Sequence, residues 1–555
     1  DAVAVVCAGP GGPASGGVRA DVDPADVDDL LSSLVDKSLL QPVREAQGEA
    51  AREAGGARLR MLETVREYGS EQLAGRGELA ELLRRHAVHY SALMVEAAPR
   101  LLTRDQVTWL PVVKADRDNI LAALRYWCDA GDAWEALTLA VGVSGMALLL
   151  GNYSDITDWV GQALEVPADI GAGEDLRTIA EALYQVNQKM QMHERAPAEG
   201  ASSTATAMAT AAAPAGPADL TERVDALDFR TLPLIGLLRE MYAFFSDDRE
   251  RLGRYIDEAI GSDDDWLVAV SWMMRAVLAE NDGEVDALRV AAEGALQRYR
   301  ALGERWGLSS TLRLVGTLCM LDGDLDGATA AYTEALAVLK ELGSRDDEFM
   351  LRLQLADLAS RRGDPATARE GFEAALAAVQ TSGWGPDDAI ILAACARFEV
   401  AAGDTARARE MHAAAAARLR GVSHSSPIWQ HLSTIVHSAG AMVALADGDV
   451  ALARERAGSA HATAVQAADM PLIASVALVV AELALATGDQ TTAARLLAAA
   501  AVVRGADDPT AMEVRSLRER LRLALGDEIL AESQARGAEL SRAAALALLD
   551  SSLAG

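Results

Sequence analysis

One glycine recurs down the second half of this 555-residue chain at a nearly fixed interval. Gly283, Gly323, Gly363 and Gly403 are 40 residues apart, Gly448 comes after 45, and Gly488 after another 40. From Gly323 onward each is followed by an aspartate: Asp324, Asp364, Asp404, Asp449 and Asp489. Five residues past each glycine stands a small or apolar residue, Leu288, Ala328, Ala368, Ala408, Ala453 or Ala493. A period of this length belongs to stacked helical hairpins, each of which buries its apolar face only against its neighbours. Glycine closes a helix in the left-handed conformation without Cβ strain. Aspartate next to it caps the following helix and suits its positive end. The small residue lets the two helices approach. Such stacks are usually binding and switching devices rather than catalysts.

Composition agrees. Half the residues are hydrophobic but only 4% are aromatic, so alanine and leucine must build a closely packed helical interior. The formal charge of −31 opposes phosphate backbones and argues against direct nucleic-acid binding by this segment. Cys7, Cys128, Cys319 and Cys395 have no zinc or redox spacing, and Cys319 and Cys395 fall on expected core positions. A reducing cytoplasm fits this usage. No run reaches the ~18–20 apolar residues of a membrane span. No signal peptide is recognisable, and a start at Asp1 without methionine is expected of a fragment or processed chain.

Along the chain, Asp23-Pro24 reads as a helix start, followed by an apolar face of Leu30, Leu31, Leu34 and Val35. Residues 38–40 and 58–62 read as short strands around a polar loop at 42–57, and 63–73 as a helix. Helix, strand, loop, strand, helix is a winged helix. Asp26, Asp28, Asp29 and Asp36 face one Lys37 on its first helix, which suits a protein partner better than DNA. Helical pattern continues from Glu78 to about Met192, with Gly131-Asp132 and Gly151-Asn152 as corners. Residues 194–219 are rich in Ala, Ser, Thr, Pro and Gly and read as a linker or insertion. The expected layout is therefore a winged-helix domain at 1–77, a first helical-repeat segment at 78–193, the linker at 194–219, a solenoid at 220–525, and a helical tail at 526–555. The fold class is all-α.

The repeat around Gly323 resembles the tetratricopeptide pattern: Gly316 on its first helix, then Ala328, Tyr332 and Ala335 on its second. Ala356, Ala368, Phe372 and Ala375 match around Gly363, and Ala396, Ala408, His412 and Ala415 around Gly403, with histidine where an aromatic is usual. Ala457 and Leu497 replace that aromatic in the last two repeats. The tetratricopeptide period is ~34 residues, so 40 implies longer helices or loops.

Two further segments, Ser33-Leu-Val-Asp-Lys-Ser-Leu-Leu40 and Arg60-Met-Leu-Glu-Thr-Val-Arg-Glu-Tyr68, resemble the winged-helix region of bacterial STAND regulators of the AfsR/SARP and large LuxR types. Arg84-Arg85-His86 with Tyr90, Asp116 to Arg125, and the tail from Leu525 resemble the segments downstream of the winged helix in those regulators. The resemblance implies an upstream NB-ARC ATPase module holding ATP or ADP, an effector protein or ligand on the repeat arm, a DNA-binding domain outside this segment, and a possible oligomer on activation. No P-loop G-x-x-x-x-G-K-[ST] occurs in this chain, so the segment itself is expected to be no enzyme and to hold no cofactor. Related switches place Met-His-Asp against the bound ADP at the end of the winged helix; the matching residues are Met61, Leu62 and Glu63. Leucine cannot donate to phosphate, so that contact is missing or supplied elsewhere, or Leu62 is simply core.

No catalytic or metal set emerges. His86 and His89 are three apart without a third ligand. His424, His431 and His437 lie near Ser425 and Ser433 without a carboxylate or nucleophile turn. Trp266, Trp272, Trp306 and Trp429 read as core or hairpin-edge residues, and Trp384, between Gly383 and Gly385, as a candidate partner contact. A free-standing repeat scaffold, a helical-repeat transferase or hydrolase, and a regulator with a C-terminal helix-turn-helix remain as alternatives.

Overall fold

The structure, a computed structural model, describes residues 2–8, 26–43, 58–150, 153–167, 173–191, 217–230, 232–246, 248–343, 348–382, 387–422 and 428–554. The chain forms two compact units, residues 1–146 with 158–181 and residues 147–157 with 182–555.

The first unit opens with α1 (Ala2–Ala8) and α2 (Val27–Asp36). Asp23 and Pro24 lie outside the described residues. Leu39 N–H and Ser38 N–H donate back to Leu34 and Val35 carbonyls, and Ser38 sits at φ 57. That left-handed turn consumes the two residues expected to begin a strand. The strand β1 therefore spans Leu40–Pro42, antiparallel to β2 (Leu59–Met61), with Leu40 opposite Met61. Then come α3 (Glu63–Arg76), stopped by Gly77 at φ 74, α4 (Leu79–Arg100), α5 (Gln106–Ala115) and α6 (Arg117–Ala130). Helix, two-stranded wing, helix is the expected winged-helix order. Arg58, at the foot of β2, donates to Asp116 at 2.9 Å and to the Ala115 carbonyl at 2.5 Å, fixing the wing to α5 and α6. After α6 the chain continues through α7 (Ala133–Leu150), α8 (Tyr153–Glu165) and α9 (Glu174–Gln191). Gly151 and Asn152 are outside the described residues, as are those from 192 to 216.

The second unit is a tetratricopeptide-like solenoid. After the part of α9 that belongs to it, it continues with α10 (Pro217–Ala226), α11 (Pro233–Phe245) and α12 (Arg249–Ile260). Hairpins come next: α13 (Asp265–Asn281) with α14 (Val285–Leu302), α15 (Arg305–Leu321) with α16 (Leu325–Leu342), α17 (Glu348–Arg361) with α18 (Pro365–Ser382), and α19 (Asp387–Ala402) with α20 (Thr405–Leu419). α21 (Trp429–Ala446) with α22 (Val450–Ala467) and α23 (Met470–Ala486) with α24 (Gln490–Arg504) complete them. Then α25 (Met512–Leu525), α26 (Asp527–Ala538) and α27 (Arg542–Ala554) end the chain, the last two packed on α24.

The corner chemistry is visible at Gly323. Its φ is 76, its N–H donates to the Met320 carbonyl, and Asp324 N–H reaches back to Cys319 at 2.8 Å. The Asp324 carboxylate then accepts from Gly327 N–H at 2.9 Å. Asp364, Asp404, Asp449 and Asp489 cap their helices in the same way. The expected small residues, Ala328, Ala368, Ala408, Ala453 and Ala493, have no exposed surface. A Cβ on Gly316 would lie 2.3 Å from the Tyr332 ring, so glycine makes room for that tyrosine. Cys395 is buried as expected, whereas Cys319 is only half-buried, because it lies at the helix end beside the Gly323 turn.

Successive hairpins are also tied by charge. Arg249 pairs with Asp282, Arg289 with Asp322 at 2.8 Å and Arg409 with Asp447 at 2.9 Å. Each time, an arginine early on one second helix meets the aspartate that precedes the next turn glycine. Around Gly363 the polarity is reversed: Arg362 precedes the glycine and reaches back to Asp326 at 2.5 Å and Thr329 at 3.1 Å. These pairs are largely exposed, so they set register more than stability.

Candidate functional site

The first helix of each hairpin forms one side of the solenoid, and on this side the chain holds its own C-terminal segment. Residues 505–511 leave α24 and lead into α25. Asp508, 6% exposed, accepts from Arg361 at 2.6 Å, and Arg361 also donates to Thr510 at 2.9 Å. Arg504 reaches the second Asp508 oxygen at 3.4 Å. One turn back on α17, Asp357 pairs with Arg361 at 2.6 Å. Next, Arg397 of α19 pairs with Glu513 and lies 3.5 Å from Ser475 of α23. Ser360 approaches the Met512 sulfur at 3.6 Å, and Met512 packs on the cluster around Ala356 and Phe372. Farther along, Arg520 pairs with Glu482 of α23.

The protonation states are set by burial and charge. Burial works to raise the Asp508 carboxyl, but the hydrogen bond and charge of Arg361, with Arg504, hold it below its ordinary value. Glu513 is likewise lowered: burial raises it most, but Arg397, a backbone hydrogen bond, Arg361 and Arg504 together outweigh that. Burial disfavours the charge on Arg361, and Asp357 and Asp508 more than restore it. Arginines and carboxylates thus alternate along the groove, but Asp357 differs from Asp508 and Glu513: burial raises its carboxyl against the pull of Arg361.

The other anticipated residues are dispersed. Met61 lies half-buried on β2, Glu63 is exposed at the start of α3 and pairs with Arg66, and Leu62 is 49% exposed. Leu62 is therefore not core: it is the extended residue that precedes α3, where its side chain points out of the turn. Beside it, Glu63, Arg66, Glu67, Ser70 and Glu71 line a shallow depression on α3. Trp384, His424 and Ser425 lie outside the described residues. Trp266 is buried, whereas Trp272, in the middle of α13, and Trp306 and Trp429, at the starts of α15 and α21, are half-buried.

His86 packs against Tyr90 with ring centroids 4.6 Å apart and planes tilted by 48°, and burial lowers its pKa. Among the described residues no group of three or more His, Cys, Asp or Glu could hold a metal ion, and no helix is long and apolar enough to cross a membrane. His412, at the aromatic position of its repeat, is lowered to about 4, chiefly by burial and then by Arg456 and His437. The ring packs closely on the next repeat: a Cβ on Gly440 would lie 2.4 Å from its Nε2.

Sequence reasoning missed the arginine groove altogether. Its only local trace is Asp507-Asp508 beside a helix end.

No family model matches the chain. A stretch of 147 residues, 26% of the chain, is 34% identical to candidate HTH-type transcriptional regulators of Mycobacterium tuberculosis (strains H37Rv and CDC 1551) and Mycobacterium bovis. The chain spans about 15% of the length of these curated relatives. Among solved structures, a Rap protein complexed with competence and sporulation factor aligns over 76% of this chain and 99% of its own, with a TM-score of 0.47 and 12% identity. A STAND protein with a tetratricopeptide repeat sensor from Pyrococcus horikoshii aligns over 76% of this chain and 55% of its own, with a TM-score of 0.37 and 11% identity. The chain is thus a helical-repeat protein that shares a segment with transcriptional regulators.

Proposed function

We propose that this chain is the winged-helix and sensor portion of a STAND-type, ATP-dependent transcriptional regulator. An effector protein or peptide binds the helical repeats and controls a nucleotide module upstream of the winged helix; DNA binding lies in another domain. The observation that carries this reading is the 34% identity to HTH-type regulators in a chain that joins a two-stranded wing to a helical-repeat arm. The net charge of −31 supports placing DNA binding elsewhere. The mechanism is a population shift. A ligand that prefers the open arrangement of the intact protein draws it from closed to open in proportion to its differential affinity. The repeats suit this task because their successive helices present one long surface.

The test is the nucleotide content of the native full-length gene product. It is purified without added nucleotide, heat-denatured, and the supernatant resolved by anion-exchange chromatography. About one ADP or ATP per chain is expected. A folded full-length protein that carries none, and that binds none when ATP and magnesium are added, would remove the switch and leave a plain interaction scaffold.

A further inference from the structure

The groove along the first helices is occupied by this chain, and the occupant has the chemistry of a ligand. Between Arg504 and Val514 the sequence is Gly-Ala-Asp-Asp-Pro-Thr-Ala-Met-Glu. Its Asp508 and Glu513 are the residues that meet Arg361 and Arg397. These contacts span 147 and 116 positions of sequence, so the segment is local to neither hairpin it touches. Between the two carboxylates, Thr510 accepts from Arg361, and Met512 inserts against the apolar cluster of the α17–α18 repeat. The fork geometry of the two arginines selects carboxylates over neutral groups.

The segment is also bounded in a way that suits detachment. Gly505, at φ 86, separates it from α24. Past Glu513, α25 is held by the separate stripe Val514, Leu517 and Leu521, all buried. The loop can therefore leave the arginines while α25 from Val514 onward stays packed, with Ala511, 3% exposed at the edge of the same cluster, as the one buried apolar side chain it takes with it.

We propose that residues 506–513 are a resident ligand of this groove, and that the partner of the repeat arm is an acidic peptide. Its two carboxylates are five residues apart, with an apolar side chain immediately before the second, and it takes Arg361 and Arg397 by displacing the segment. This rests on the reading of the repeats as a partner-binding arm and adds the face and the chemistry. A tethered segment competes at an effective concentration of order millimolar, so the free groove is masked until a partner outcompetes it.

The experiment uses the full chain and a fluorescein-labelled synthetic peptide of residues 505–516, followed by fluorescence anisotropy. D508N/E513Q releases the resident carboxylates and leaves both arginines in place. It is expected to bind the peptide at least tenfold more tightly than the unsubstituted chain, and R361Q/R397Q added to it should remove the gain. Equal affinity for the unsubstituted and D508N/E513Q chains would overturn the proposal. A second measurement needs no substitution. Hydrogen exchange of the unsubstituted chain should show the amides of Asp508 and Ala511, both hydrogen-bonded within the segment, exchanging at least tenfold faster than those of α23. Protection equal to α23 would mean that the segment never leaves, and would equally overturn the proposal. Neither readout involves nucleotide, so failure here is distinct from failure of the switch.

Discussion

Gly505→Ala is expected to lower the melting temperature of the solenoid by several degrees, far more than Gly403→Ala. Both glycines have nearly the same left-handed backbone, φ 86 and 84, so both substitutions carry the same ~1–2 kcal/mol conformational cost. They differ in what a Cβ would meet. At Gly403 there is nothing within 4 Å, whereas at Gly505 the Gly283 carbonyl oxygen lies 1.9 Å away. The reverse approach is as tight: a Cβ on Gly283 would lie 2.8 Å from the Val503 carbonyl and 2.9 Å from that of Arg504. Backbone meets backbone here, so no rotamer change relieves the clash, and overpacking adds roughly 1–3 kcal/mol. This contact joins the first Gly corner of the solenoid to the end of its last hairpin, and Arg542 reinforces it by donating to the Gly283 carbonyl at 3.1 Å. Differential scanning calorimetry of the two variants checks the expectation. Equal shifts would mean that the two corners do not bear on each other in solution.

The second large effect is one of pH. Glu240 on α11 has no exposed surface, and burial pushes its carboxyl up to about 8 against the pull of Ser271, Arg275 and Arg239. The geometry agrees. Ser271 Oγ lies 2.5 Å from Glu240 Oε1 and 2.8 Å from the Leu267 carbonyl, yet a hydroxyl has one proton. A protonated Glu240 donates to Ser271, and Ser271 donates onward to Leu267. Because the folded pKa is raised, the stabilisation is fully present below the unfolded value near 4.5 and is lost as pH rises through about 8. Between those limits the unfolded chain binds about one proton fewer than the folded chain, so stability falls by roughly 1.4 kcal/mol per pH unit from this group. Glu240→Gln keeps a donor and an acceptor in place and removes the titration. Melting temperature measured from pH 5 to pH 9 should fall more steeply for the unsubstituted chain than for the variant. Parallel curves would show that Glu240 is ionised in the fold.

Where the sequence was transparent, the causes are local. A glycine that must be left-handed, an aspartate that must cap and an alanine that must let two helices touch all act within eight residues. The turn at Gly323 and the caps on Asp404 and Asp449 could therefore be anticipated, while Gly316 and Tyr332, 16 residues apart, were legible only as positions of the tetratricopeptide pattern. The wing was anticipated too, but two residues early, because Ser38 turns left-handed before β1. Leu62 shows the opposite failure: its apolar character suggested core, yet its place just before α3 turns it to solvent. The inter-hairpin pairs left a trace that went unread, since Arg289 and Asp322 have Arg409 and Asp447 as their counterparts three hairpins on. The arginine groove left almost none. Arg361 and Asp508 are brought together only when the later hairpins curve the stack back on itself, and no window of sequence contains both.

The central claim, that this arm senses a partner on behalf of a transcriptional regulator, is tested most directly in the native host. The chromosomal gene is replaced by an R361E/R397E allele, and its transcript profile is compared with that of a clean deletion and of the unmodified strain, at matched abundance of the protein. The account predicts that the allele disturbs the same set of transcripts as the deletion, whether by silencing them or by locking them on. A profile that changes in the deletion and is indistinguishable from the unmodified strain in the allele would contradict it.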